Sequence, residues 1–180
     1  NLAVEGEADF GTVARRSSTN WTLTTSGRTG HSGGVFNDAL GYGAIYELAR
    51  ILDAFRRDLP EPNLTYNVGV IAGGTPAAID AEGFNVTASG KTNIVASTAI
   101  ARGDLRTLTR EQDERVRARM QAIVETHLPR TEAELVFASN GYPPMAPTEG
   151  NRALLARLNA VNRDLGLPEI DGLTVLGMWR

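Results

Sequence analysis

Apolar and polar positions along the chain change period several times, and each change predicts an element. Over residues 21–26 the pattern alternates. Trp21, Leu23 and Thr25 share one face, and Thr22, Thr24 and Ser26 share the other, as in a half-buried strand. Over residues 37–58 the period lengthens to that of a helix: Ile45, Leu48, Leu52 and Phe55 recur, Ala44, Ala49 and Ile51 widen the stripe, and Pro60 and Pro62 close it. Gly41 and Gly43 loosen the start of this helix at roughly 1 kcal/mol each against alanine, which points to close packing there. Residues 64–72 alternate again and run into Gly73-Gly74. Residues 75–82 read as irregular, while 84–88 and 92–105 read as two strands joined through Ser89-Gly90-Lys91. Thr109 with Gln112 forms a capping-box start to a second helix, buried along Val116, Met120, Ile123 and Val124, with Arg110, Glu114, Arg117 and Arg119 toward water. His127 in its last turn suits the negative end of the helix and reads as structural. Residues 133–138 form the last strand, 142–147 a proline-rich connector, and Thr148 opens a third helix through Leu154, Leu155, Leu158, Val161 and Leu165.

With the hairpin set aside, the order is β-α-β-β-α-β. This is an α+β, ferredoxin-like split βαβ arrangement: an antiparallel four-stranded sheet with two helices on one face, an inserted hairpin and a C-terminal helical flank. Many functions share that fold, so it names none.

The chain has 180 residues, ample for one core, with 42% hydrophobic and 22% charged residues. A net charge of -3 argues against nucleic acid or an anionic membrane as partner. No apolar run approaches the roughly 20 residues that span a bilayer, and no segment resembles a signal peptide. Without cysteine there is neither disulfide nor thiolate chemistry, and the compartment, cytoplasmic or exported, stays open. The chain starts at Asn1 and stops at Trp179-Arg180, and so reads as an excised piece of a longer protein.

Gly90-Lys91-Thr92 has the ending of a phosphate-binding loop, but Asn85 stands where glycine is needed and a β-rich run follows instead of a helix. An RNA-binding sheet would carry stacking aromatics on residues 92–106, and there are none. Two histidines and no cysteine offer no zinc cluster within the chain. What stands out is Ser26-Gly27-Arg28-Thr29-Gly30-His31-Ser32-Gly33, a lone histidine in a glycine-rich turn between a strand and a helix, where an imidazole is presented by rigid elements on both sides.

Gly30-His31-Ser32 after a strand, then Asn93-Ile94-Val95-Ala96-Ser97-Thr98-Ala99 leading to Gly103-Asp104-Leu105-Arg106, resembles the lid or dimerisation domain of the aminoacylase, acetylornithine deacetylase, succinyl-diaminopimelate desuccinylase and carboxypeptidase-G family of two-zinc metallopeptidases. The interval from Asn93 to Arg106 equals the family's. The chain departs from it in having Val95-Ala96 where a proline usually follows the asparagine, and in a longer connection over 77–91. The resemblance implies residues 1–16 as a flank from a catalytic domain, 17–140 as the lid, and 141–180 as a linker and helix returning to the catalytic domain. It implies hydrolysis of the amide bond of an N-acyl amino acid or small peptide by a parent holding two zinc ions, with none in this inactive fragment. It implies His31 as a catalytic donor to the partner's site, Asn93 and Arg106 as substrate-binding residues, and Glu5 as a metal ligand only with the missing domain. The partners it implies are a second copy, the protein's own catalytic domain and a small amide substrate. The alternative is a stand-alone ferredoxin-like dimeric module that binds a small molecule.

Overall fold

The computed structural model describes residues 3–4 and 10–175. Its elements are β1 (Ala3–Val4), β2 (Phe10–Arg15), β3 (Thr19–Gly27), α1 (Ala44–Asp58), β4 (Thr65–Gly74), β5 (Ala77–Ile79), β6 (Val86–Ala88), β7 (Thr98–Arg106), α2 (Arg110–Val124), β8 (Thr131–Phe137), α3 (Glu149–Asp164) and β9 (Asp171–Val175), with a 3-10 turn over Ser32–Gly34. Four strands pair antiparallel in the order β4-β7-β3-β8, and α1 and α2 cover one face. The expected α+β ferredoxin-like arrangement is present.

Alternation puts every second residue of the central strands against the helices. Trp21 and Leu23 of β3, Ala99, Ala101 and Leu105 of β7 and Leu135 of β8 meet Leu48, Ile51 and Phe55 of α1 and Val116, Met120 and Val124 of α2. Trp21 stands edge-on to Phe55, with ring centroids 6.2 Å apart. Its indole lies over Gly103, where a Cβ would sit 2.4 Å from Trp21 Cζ2 and 1.8 Å from the Asn67 carbonyl oxygen. The run Gly103-Asp104-Leu105-Arg106 therefore divides its work: Gly103 makes room for Trp21, Leu105 is buried in the core, and Asp104 and Arg106 remain for the opposite face.

Helix α1 begins at Ala44, later than the expected residue 37. Gly41 and Gly43 have φ of 74° and 79°, which end any helix running through them. The Asn37 side-chain oxygen accepts from the Ala39 and Leu40 N–H groups and closes a separate turn ahead of them. The close packing expected at Gly43 is real, since a Cβ there would lie 2.4 Å from Val95 Cγ1. Helix α2 starts as expected. Thr109 Oγ1 accepts from the Gln112 N–H at 3.1 Å, while Gln112 Oε1 accepts from the Leu108 N–H at 2.8 Å.

The inserted hairpin pairs differently from expectation. β6 pairs with β5, inside the stretch read as irregular, and β7 begins only at Thr98. Residues 93–97 are held outside the sheet because their backbone serves the His31 loop and the start of α1 instead. At the ends of the chain, β1, β2 and β9 form a second sheet in which β2 runs parallel to β9. Buried Leu155 lies on α3, and the Asn151 side-chain amide of the same helix donates to the Val13 carbonyl at 3.0 Å. Among the described residues no helix is long and apolar enough to cross a membrane.

Candidate functional site

His31 sits beyond the end of β3 with extended backbone, capping the 3-10 turn that follows. Its loop is zipped to residues 93–97 by backbone hydrogen bonds. Ser32 N–H donates to Asn93 O at 2.9 Å, Val95 N–H to Gly30 O at 2.9 Å, Gly27 N–H to Ser97 O at 3.0 Å and Ala44 N–H to Ala96 O at 3.0 Å. Thr29 Oγ1 adds a bond to Val95 O. The structure thus brings His31 and Asn93 together at one end of the sheet, both exposed. His31 Nδ1 accepts from the Gly33 N–H at 3.1 Å. In the neutral ring this puts the proton on Nε2, so the outward nitrogen is a hydrogen-bond donor.

Arg106 lies at the other end of β7. Eight residue steps at about 3.4 Å separate it from the Thr98 end, roughly 27 Å in all. Its Nε donates to Asp104 Oδ2 at 2.7 Å, with both side chains partly exposed on the face that carries no helix. The hydrogen bond to Asp104 raises the Arg106 guanidinium above its ordinary range against the effect of burial, with Asp104's charge and nearby Tyr142 adding to it. Here three stretches of backbone meet. Ser17 N–H donates to Thr107 O at 2.7 Å, Ser18 and Tyr142 exchange backbone bonds at 3.1 Å, and Arg15 and Met145 do so at 2.8 Å. The Arg15 guanidinium lies 4.9 Å from the Tyr142 ring centroid.

His31, Asn93 and Arg106 therefore do not converge within one chain. Glu5 lies outside the described residues. Among the described residues no group of three or more histidine, aspartate or glutamate side chains is arranged to hold a metal ion, so they do not fit a zinc centre.

One residue that sequence reasoning passed over is Glu47, fully buried on the apolar stripe of α1. Arg50 bonds both of its oxygens, Oε1 at 2.7 Å and Oε2 at 3.2 Å, Leu128 N–H donates to Oε2 at 3.0 Å, and His127 Nδ1 lies 3.4 Å from Oε1. Arg50 also reaches the Thr126 carbonyl. Burial pushes the Glu47 carboxyl up, but the bonds from Arg50 and Leu128, Arg50's charge and the His127 contact outweigh it and hold the group below its ordinary range. The turn thus fixed supports the loop carrying His31: Arg130 Nε donates to Asp38 O at 2.9 Å, and a Cβ on Gly41 would lie 2.1 Å from Pro129 O. A glutamate in register with Ala44, Leu48, Ile51 and Phe55 was the available signal.

A ferredoxin-like domain, its histidine and asparagine at one end and its arginine at the other, is the class that these elements define. The family model described as "Peptidase dimerisation domain" matches residues 13–132, and the chain belongs to that family. Among solved structures it is similar to a tripeptidase from Staphylococcus aureus (17% identity, TM-score 0.63), the aminopeptidase PepT from Bacillus cereus (19%, 0.66) and an aminobenzoyl-glutamate utilization protein from Klebsiella pneumoniae (19%, 0.60). Each alignment covers 97% of this chain and 42% of the other, so the chain spans less than half the length of these proteins. No curated protein sequence matches it.

Proposed function

We propose that this chain is the dimerising, substrate-gripping lid of a zinc-dependent amidohydrolase or peptidase that cleaves the amide bond of an N-acyl amino acid or small peptide. The zinc ions belong to the parent's catalytic portion, where they would activate the attacking water. This chain contributes His31 to the partner subunit's site, as a donor to the oxyanion that forms when the amide is attacked, and Asn93 beside it to orient the acyl end. Arg106 holds the substrate carboxylate from its own subunit.

The observation that carries this reading is that the His31–Asn93 pair and Arg106 lie at opposite ends of β7, a strand roughly 27 Å long, taken with the open edge of β4. No small substrate bridges that span. Among the described residues β4 pairs only with β7, which leaves its other side unpaired, and Val68, Val70 and Ile71 are exposed along it. Joining two β4 edges about a two-fold axis makes them antiparallel, setting the Gly74 end of one against the Thr65 end of the other. Each subunit's His31 end then lies on the side of its partner's Arg106 end.

The test is kinetic and uses the full-length parent. His31→Ala lowers kcat by about 10²- to 10³-fold on an N-acyl amino acid with KM little changed, because the donor acts on charge that develops in the transition state. Arg106→Ala instead raises KM strongly. An unchanged kcat in the His31 variant would overturn the assignment.

A further inference from the structure

Just beyond His31 the chain keeps an exposed aromatic ring at a position whose backbone favours glycine. Phe36 has φ of 73°, in the left-handed region. The same loop places Gly41 and Gly43 at its other left-handed positions, and a bulky residue there is an outlier that costs conformational energy. Burial does not offset that cost, since Phe36 is 52% exposed. The ring is nevertheless held in place. Its centroid lies 5.1 Å from that of Tyr42 and 5.2 Å from that of Tyr46 on the first turn of α1, at interplanar angles of 57° and 63°, and Phe36 N–H donates to Gly41 O at 2.8 Å. Successive turn bonds tie it to the histidine: Gly34 N–H donates to His31 O at 3.0 Å, Val35 N–H to Ser32 O at 3.1 Å and Asn37 N–H to Gly34 O at 3.3 Å. The 3-10 turn over Ser32–Gly34, about 6 Å long at 2 Å per residue, and Val35 are all that stand between the two residues.

We propose that Phe36 is a specificity-determining residue: backed by Tyr42 and Tyr46, it enters the partner subunit's site beside His31 and stacks on the acyl group of the substrate, so that N-aroyl amino acids are preferred to N-acetyl ones. This rests on the lid reading, which brings His31 and Asn93 to the acyl end of the partner's substrate; Phe36 is carried there on the same turn. The exposed area fits so small an occupant. Phe36 at 52% and Tyr46 at 53% exposure present roughly 200 Å² together, taking about 150–250 Å² for a whole aromatic side chain. A stable protein interface needs about 800 Å² from each partner. The next residues, Asn37 and Asp38, are exposed and polar, so the apolar surface does not continue along the loop. An outlying backbone kept at an exposed position marks a side chain in use, and an offset or edge-on ring pair is favourable beyond the area it buries.

The experiment reads binding separately from turnover. The full-length protein carrying His31→Ala, which slows hydrolysis, is titrated calorimetrically with N-benzoylglycine and with N-acetylglycine. The benzoyl ligand should bind about tenfold more tightly. Adding Phe36→Gly, a substitution that suits the left-handed backbone and so keeps the fold, should bring the ratio of the two dissociation constants close to one, while Phe36→Tyr should preserve it. A protein that binds neither ligand or both equally overturns the proposal, as does a ratio that Phe36→Gly leaves unchanged. So does a Phe36→Gly protein that becomes monomeric in sedimentation experiments, which would assign the rings to the subunit interface. Turnover of N-benzoylglycine by the protein with and without His31→Ala decides the lid reading on its own: an unchanged kcat sinks that reading, whereas a lowered kcat with no benzoyl preference sinks only the role of Phe36.

Discussion

Replacing Glu47 with alanine removes the carboxylate that joins α1 to the turn after α2. The variant leaves Arg50 without its acid, Leu128 N–H without its acceptor and His127 without its neighbour. Removing one member of a buried ion pair typically costs 3–5 kcal/mol, and because Arg50 is 25% exposed and can recover some hydration, about 3 kcal/mol is expected here. For a chain of this size that corresponds to a fall in Tm of about 6–12 °C. The sign with pH follows from the lowered carboxyl. Its contribution is complete above the unfolded value, near 4.3, and is lost as pH falls through the lower folded value, so the gap between wild type and variant narrows in acid. Urea unfolding at pH 7 and below pH 4 measures both effects, and amide exchange at Leu128 and Tyr42 reports whether the turn loosens. A loss below about 1 kcal/mol at pH 7, or a gap independent of pH, refutes the role given to Glu47.

Two shorter expectations concern the start of α2 and the sheet edge. Thr109→Ala removes the acceptor for the Gln112 N–H and lowers stability by about 1 kcal/mol, measured by chemical denaturation. Ile71 is 60% exposed on the unpaired edge strand, so Ile71→Lys places a charge in the proposed interface and shifts the full-length protein toward monomer in sedimentation experiments. An unchanged sedimentation profile counts against pairing through β4.

Long periodic segments carried most of the fold. The alternation around Trp21 and Leu23 and the stripes of α1 and α2 became the core, and the Thr109 cap appeared as read. Errors fell where a local signal competed with a tertiary one. Gly90 looked like a hairpin turn, yet residues 93–97 spend their backbone groups on Gly27, Gly30, Ser32 and Ala44, contacts made across the fold that no local pattern records. Gly41 and Gly43 were read as loosening the start of a helix and proved to precede it. β2 was not among the expected elements, since its pairing partners lie toward the two ends of the chain. At the candidate site, residue types and intervals singled out His31, Asn93 and Arg106, but their division between opposite ends of β7 depends on strand direction and emerged only from the sheet.

The most direct test of the shared site mixes two impaired full-length variants, His31→Ala and Arg106→Ala, each with its own affinity tag, and assays them at a substrate concentration well below the KM of Arg106→Ala. If the partner subunit supplies the histidine while Arg106 acts in its own subunit, a heterodimer holds one whole site and one with both lesions. Heterodimers isolated through both tags should then recover about half the wild-type activity. If both residues served the same subunit's site, each site of the heterodimer would carry one lesion. Verified heterodimers with no more activity than either parent variant would contradict the assignment of His31 to the partner's site.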